Sequence, residues 1–252
     1  MGAPSHNEVD FYDVCVSFLH DLPLYERVFT PSEDPLLELA TGTGRLAIEL
    51  AAKKHHMIAL DISQAMLDKG QEKCPLNLQK YIQWQKDDMT KFNLPRKISG
   101  VFIAANSFLL LPSITHQKIC LQNISKHLTS GAKLVIDVFH PFYLLKQPQC
   151  QGQLSLLMCI ENYKENTTLN HWCSGRYDSA RQVLIANNII ELCCDGEVKR
   201  YPYTEILRYV HRYEMELLLE QANFTVENVF GWYDERPFEH TSQKMIFIAR
   251  KN

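Results

Sequence analysis

Short apolar runs alternate with amphipathic stretches from residue 35 to residue 140. Leu36–Leu39, Met57–Leu60, Tyr81–Trp84, Gly100–Ala105 and Lys133–Phe139 read as strands. Strands that alternate with helical segments call for a parallel, doubly wound sheet. The intervening segments read as helices. Ser63 is placed to cap one that opens at Gln64, and Cys120, Leu121, Ile124 and Leu128 form the apolar face of another, stopped by Ser130 and Gly131 before the fifth strand. Near the C-terminus Met215, Leu218, Leu219 and Ala222 keep helical spacing, and Phe224–Gly231 and Lys244–Ala249 follow as two more strands. The pattern predicts an α/β fold with a doubly wound, seven-stranded, mostly parallel sheet.

Residues 151–211 break that alternation. Gln153–Tyr163, Thr167–Tyr177, Gln182–Cys194 and Val198–Tyr209 read as consecutive strands, with turns at Glu165-Asn166, Asp178-Ser179 and Asp195-Gly196. Asp-Gly is a strong two-residue hairpin signal. Residues 1–150 and 212–252 are therefore expected to form the core, and 151–211 an inserted antiparallel β-sheet. That sheet would lie over the C-terminal edge of the main sheet as a lid or substrate wall, or offer a surface for self-association. Residues 1–30 are aromatic and helical in character, and are expected to close the opposite side of the pocket.

The chemistry concentrates at 36–47, where an apolar strand enters a glycine turn and a helix opens near Arg45. Gly42 and Gly44 let a ligand approach the backbone, and the helix start aims free N–H groups at it. Glu38 closes the strand with a carboxylate. Gly42-x-Gly44-x-x-Ala47 fits a dinucleotide turn; Glu38 followed by Ala40, Gly42 and Gly44 fits a different cofactor pattern. Downstream, Asp61 ends the second strand, Asp87-Asp88-Met89 follow the third, Asn106 follows the fourth and His140 the fifth. Strand ends of an open α/β sheet line the ligand crevice. An acid at the second strand end suits a ribose diol under either reading; the acid-acid-apolar turn has no counterpart in a dinucleotide sheet.

The set from Glu38 to Met89 resembles class I S-adenosylmethionine (SAM)-dependent methyltransferases of the small-molecule type, with a Rossmann-like core and a β-lid before the sixth strand. The likeness is closest over 35–140 and at Arg212–Glu220. It implies that Gly42 and Gly44, with Glu38 and Ala40 around them, approach the methionine part of SAM. It further implies that Asp61 with Ile62 holds the ribose, that Asp87, Asp88 and Met89 hold the adenine, and that Asn106 lines the same crevice. Tyr12 and Tyr25 resemble N-terminal tyrosines that contact the methionine end. The implied activity is methyl transfer to a nitrogen or oxygen of a small acceptor by in-line displacement, leaving S-adenosylhomocysteine (SAH). His140 is the expected base; Tyr143, Tyr163, Trp172, Tyr177, Arg208 and Tyr233 are expected to line the acceptor pocket. Two departures stand out. Ala40 occupies a glycine position, and the fourth strand lacks the Asn/Asp-Pro-Pro-aromatic motif of enzymes that methylate nucleobase or glutamine amino groups. A nicotinamide-dependent oxidoreductase and a non-catalytic SAM-binding protein are the alternatives.

Composition narrows the partners. The chain has 252 residues, 46% of them hydrophobic, enough for a full core, and a net charge of −3. No basic run suggests a nucleic-acid backbone or an anionic membrane as partner. No stretch approaches the ~20 apolar residues of a membrane span, and the N-terminal segment lacks a signal-peptide core. The eight cysteines show no metal-ligand spacing. They are read as reduced in a cytoplasmic enzyme without a metal, and the sequons at Asn123, Asn166 and Asn223 as chance matches.

Overall fold

The computed structural model describes residues 6–252, and side chains from Val9 onward. The first five residues of the expected N-terminal closure lie outside the described residues. In chain order the elements are α1 (His6–Cys15), α2 (Leu22–Val28), β1 (Leu36–Leu39), α3 (Arg45–Ala52), β2 (Met57–Asp61), α4 (Gln64–Lys73), β3 (Ile82–Lys86), β4 (Ile98–Ile103), α5 (Ile114–His127), β5 (Leu128–Phe139) and α6 (Pro141–Leu144). Then come β6 (Ser155–Lys164), β7 (Thr167–Asp178), β8 (Val183–Cys194), β9 (Glu197–Arg208), α7 (Arg212–Gln221), β10 (Phe224–Phe230) and β11 (Lys244–Lys251).

Seven strands form one sheet in the order β10-β11-β5-β4-β1-β2-β3. Strands β1 to β5 pair in parallel, and β11 runs antiparallel to both β5 and β10. The winding reverses between β1 and β4, and a crevice opens at the C-terminal ends of strands on either side of such a switch. Side chains alternate across the sheet. Leu37, Leu39, Ile58, Leu60, Val101, Ile103, Leu134 and Ile136 pack on α5 and α7. Leu36, Met57, Ala59, Phe102, Val135, Ile246 and Ile248 pack on α2 and α3. Burial on both faces is why these strands read as continuous apolar runs.

Several boundaries differ from expectation; β4, for one, is Ile98–Ile103 rather than Gly100–Ala105. Strand β3 begins at Ile82 rather than Tyr81. Strand β5 begins at Leu128, because α5 ends at His127 and the chain becomes extended at once; Leu128 is buried and pairs with Ile98. The apolar face expected to continue the helix therefore ends in the sheet, and Ser130 and Gly131 lie inside the strand.

The inserted segment is a separate antiparallel sheet in the order β6-β7-β8-β9. Its last hairpin turns at Asp195 and Gly196, with φ of +50° and +81°. Two left-handed residues in succession are what a type I′ turn requires. The sheet is fastened to the core. Leu169 and Ile190 pack on Phe11 of α1, and Arg208 at the end of β9 donates from Nη1 to Gln117 Oε1 (2.6 Å) and from Nη2 to Glu214 Oε1 (2.6 Å). Among the described residues no helix is long and apolar enough to cross a membrane, and no cluster of His, Cys, Asp and Glu could hold a metal ion.

Candidate functional site

The turn after β1 is built from left-handed residues at alternate positions: Ala40 (φ +57°), Gly42 (φ +58°) and Gly44 (φ +74°). The two glycines adopt this at no steric cost; an L-residue at position 40 carries about 1–2 kcal/mol of strain. A methyl group added at Gly42 would lie 2.7 Å from the Tyr12 hydroxyl oxygen, and one at Gly44 would lie 2.3 Å from the Trp84 ring. The space above Gly42 is thus filled by the α1 tyrosine and that above Gly44 by the β3 tryptophan. Trp84 is wedged against Gly70 of α4 as well.

Period-two alternation sends Glu38, Asp61 and Asp137 to the same sheet face as the α2–α3 layer. Asp61 accepts from Gly42 N (2.8 Å) and Ser63 N (2.9 Å), so one carboxylate ties the glycine turn to the start of α4. Burial raises its pKa against the pull of those backbone donors. Glu38 is 4% exposed and accepts from Thr41 Oγ1 (2.6 Å). Burial pushes its pKa up to about 7, opposed by the Thr41 and Ala47 hydrogen bonds and by the Arg45 charge. Arg45, the first residue of α3, is committed to Asp21 through a fork of 2.7 and 2.6 Å, and Asp21 is fully buried. The N-terminal helices are thereby locked over the turn. Asp13 of α1 adds to the lock through Thr43 in the turn and Lys73 of α4.

Both expected N-terminal tyrosines reach this site. The Tyr12 hydroxyl has its pKa raised by burial and by the nearby Asp61 and Glu38 carboxylates. Tyr25 is fully buried against Phe102, and among the described residues its hydroxyl has no hydrogen-bond partner; burial raises its pKa, with the Asp137, Asp21 and Glu38 charges adding to it. An orphaned hydroxyl in such a place costs roughly 1–3 kcal/mol unless a ligand satisfies it.

A second polar cluster lies across β4 from Glu38. Asp137 of β5 is fully buried and accepts from Tyr233 Oη (2.5 Å), Lys244 Nζ (2.9 Å) and Ala105 N (3.1 Å). Lys244 also donates to Asn106 Oδ1 (3.3 Å), and Ala105 and Asn106 are both left-handed. Sequence reasoning missed Asp137, Lys244, Asp21 and Arg45. The available signal for Asp137 was an acid inside the apolar run Leu134–Phe139.

Beyond β3 the acids are shaped by local caps. Asp87 Oδ1 accepts from Asp88 N (2.8 Å), and Asp88 Oδ1 accepts from Thr90 N (2.8 Å) and Oγ1 (2.7 Å). The Asp88 pKa is lowered because the Thr90 donors and Lys91 outweigh burial. Met89 packs on the α5-side core, and Ile62 is 42% exposed beside Asp61.

His140 sits where α6 begins and is 5% exposed. Its Nδ1 lies 2.8 Å from the Ser242 carbonyl, which can only accept. That fixes the proton on Nδ1 and leaves Nε2 as an acceptor in the neutral ring. Burial lowers its pKa, opposed by the Ser242 bond and helped by His211 and Lys146. Its rings of contact are Phe142 and Phe238 rather than the Glu38–Asp61 cluster.

The expected pocket-lining groups divide. Tyr163 joins the lid cluster on Phe11, and Tyr143 is half-buried on α6. Trp172 lies on the other face of β7 from Leu169 and donates to Glu191 Oε1 (3.3 Å), so the structure does not bring it to the α1-facing side. Tyr177 is 40% exposed near the end of β7. Arg208 and Tyr233 are consumed by the lid anchor and by Asp137.

Residues 36–131 match the family model described as a methyltransferase domain. No curated protein matches the chain. Among solved structures, the CcbJ methyltransferase from Streptomyces caelestis is similar with a TM-score of 0.76 at 22% identity, covering 92% of this chain and 94% of its own. A SAM-dependent methyltransferase from Clostridium acetobutylicum ATCC 824 gives 0.77 at 16% identity over 96% of each chain. The sugar N-methyltransferase KedS8 from Streptoalloteichus sp. ATCC 53650 gives 0.76 at 17% identity, covering 100% of this chain and 95% of its own.

Proposed function

From a chain that has the class I methyltransferase fold and carries a methyltransferase domain over residues 36–131, we propose a SAM-dependent methyltransferase acting on a small-molecule acceptor through nitrogen or oxygen. The observation that carries this reading is the convergence of Glu38, the Ala40–Gly44 turn, Asp61, Tyr12 and the orphaned Tyr25 hydroxyl at one strand-end crevice. These residues fit the group. Glu38 would accept from the ammonium of its methionine part, Tyr12 would face that part across the Gly42 turn, and Asp61 has acceptor capacity for the ribose hydroxyls. When bound, SAM supplies an electrophilic methyl group for in-line displacement by the acceptor. The chain's task is to hold the acceptor in line and keep water out, which can supply roughly 7–11 kcal/mol. The test is transfer of a labelled methyl group from SAM to small amines and alcohols, with hydride transfer from a nicotinamide cofactor as the competing outcome.

The buried Glu38 makes binding pH-dependent. A ligand ammonium needs the ionised carboxylate, and burial pushes that group's pKa up to about 7. Affinity for SAH is therefore expected to be roughly ten-fold higher at about pH 8 than at about pH 6, measured by calorimetry. A flat profile, or tighter binding in acid, contradicts this placement.

His140 is the proposed base for an acceptor that arrives protonated. With its pKa lowered by burial, the ring stays neutral at and somewhat below neutral pH, so the acid limb of turnover is expected below the ordinary histidine range. His140→Ala should lower turnover by about 10²-fold or more and leave SAH affinity unchanged. Unaltered turnover on the true acceptor removes the residue from the mechanism.

A further inference from the structure

The N-terminal edge of the main sheet, opposite the glycine turn, carries a concavity of its own. The connection from β3 to β4 turns back under the last turn of α5 and is pinned there. Asn123 Nδ2 donates to the Phe92 carbonyl (2.9 Å), and Leu94 N donates to His127 Nε2 (3.2 Å). His127 is buried, with its ring 4.8 Å from that of Phe92 and its Nδ1 2.9 Å from the Asn123 carbonyl. A carbonyl only accepts, so Nδ1 carries the proton and Nε2 receives the Leu94 amide. The connection and the helix end, held together in this way, enclose a cavity of about 570 Å³.

Four cations line that cavity, Lys91, Arg96, Lys97 and Lys126, and among the described residues no acid joins them. Lys97 donates to the Lys126 carbonyl at the end of α5, and Lys91 lies 3.8 Å from Asp88 in an exposed pair. Arg96 and Lys126 have no acidic partner among the described residues. The carbonyl end of a helix offers only about half a negative charge, and an exposed ion pair contributes little, so neither offsets four cations. A cleft lined by one sign of charge concentrates the opposite ion. A smaller cavity of about 210 Å³ adjoins this one, with Leu94, Pro95 and Arg96 lining both. Its walls include Met57, Ile82 and half-buried Tyr81, with Lys80 Nζ 5.1 Å from the centre of the Tyr81 ring.

We propose that this edge binds a nucleoside polyphosphate, its phosphates among Lys91, Arg96, Lys97 and Lys126 and its base in the smaller cavity beside Tyr81. A cationic basin next to an apolar wall suits a ligand that is highly charged at one end and a flat ring at the other. The larger cavity has the size of a small-molecule site, roughly 300–1,000 Å³, which favours a bounded ligand over an extended polyanion. Arg96 stands where the two cavities meet, and its planar fork matches phosphate oxygens in pairs. The site lies a strand's length from the glycine turn: the five residues of β2 span ~16 Å between the two edges. Its occupant is therefore held together with a ligand in the crevice, not in place of one.

The test is calorimetric titration of the full chain with ATP, inorganic tripolyphosphate and adenosine, each with and without excess SAH. ATP should bind equally well in both conditions, tripolyphosphate more weakly, and adenosine not measurably once SAH is present. Arg96→Gln combined with Lys126→Gln should weaken ATP binding by about ten-fold or more, with SAH affinity within about two-fold of the parent. Lys164→Gln combined with Lys199→Gln, an equal loss of charge on the lid, should match the parent. Arg96→Lys, which keeps the charge and loses the fork, should weaken ATP by a smaller factor, and it serves as the test if the double variant fails to fold. Absence of ATP binding, its displacement by SAH, tripolyphosphate binding as tight as that of ATP, or an unchanged dissociation constant in the double variant would overturn the assignment. Tighter binding of a single-stranded oligonucleotide than of ATP would overturn it too, in favour of a nucleic-acid surface.

Discussion

Asp137→Ala is expected to destabilise the protein by about 3–5 kcal/mol, because it leaves a nearly buried ammonium and a buried hydroxyl without their acceptor. Asp137 is fully buried, and Lys244, Tyr233 and the Ala105 amide all converge on it. At roughly 2–4 °C per kcal/mol for a chain of this size, the melting midpoint should fall by about 6–20 °C. Tyr233→Phe, which removes one donor and keeps the ring, should cost less, about 1.5–3 kcal/mol. A calorimetric scan of both variants checks the order. An Asp137→Ala midpoint within a degree or two of the parent would show that the cluster does not hold β4, β5 and β11 together.

Asp61→Ala carries the largest expected functional loss. The side chain has two jobs: it fixes the Gly42 and Ser63 amides, and it is the proposed acceptor for the ribose hydroxyls. Each charge-assisted hydrogen bond is worth about 1.5–3 kcal/mol, so loss of the ribose contact and slackening of the turn together should weaken SAH binding by about 10²-fold or more. Calorimetric titration of the variant gives the number directly. An unchanged dissociation constant means that the cofactor lies elsewhere.

These two aspartates also mark what was legible in the sequence. Asp61 closes an apolar run, and an acid at a strand end announces a crevice. Asp137 lies three residues before the His140 that drew attention as the chemical group after β5. In a parallel strand buried on both faces, an interior acid looks like an interruption until the alternation is followed across the sheet; then Glu38, Asp61 and Asp137 share one face. The core strands were readable because burial on both faces writes uninterrupted apolar runs, and the lid hairpins because their turns carry Asp-Gly and Asp-Ser pairs. Which lid face turns inward was not readable. Ile185 and Ile189 occupy one side of β8, and Ala186 and Ile190 the other, so alternation alone gives no preference. Trp172 fell on the outward side, and Leu169 and Ile190 on the inward one. Arg208 was unreadable for a related reason: its partners Gln117 and Glu214 come from two helices brought together only by the tertiary fold. Local structure misled at α5 as well, where the helical pattern through Leu128 gave way to a strand pairing with Ile98.

The identity of the cofactor is the claim on which the rest depends, and thermal unfolding with SAM, SAH, NAD and NADP in parallel tests it most directly. A ligand at about 100 times its dissociation constant stabilises by ~2.7 kcal/mol, which should raise the midpoint by several degrees. Glu38, the Gly42 turn and Asp61 predict that SAM and SAH raise it and that neither nicotinamide cofactor does. A rise with NAD or NADP alone would make Gly42-x-Gly44-x-x-Ala47 a dinucleotide turn and contradict the account.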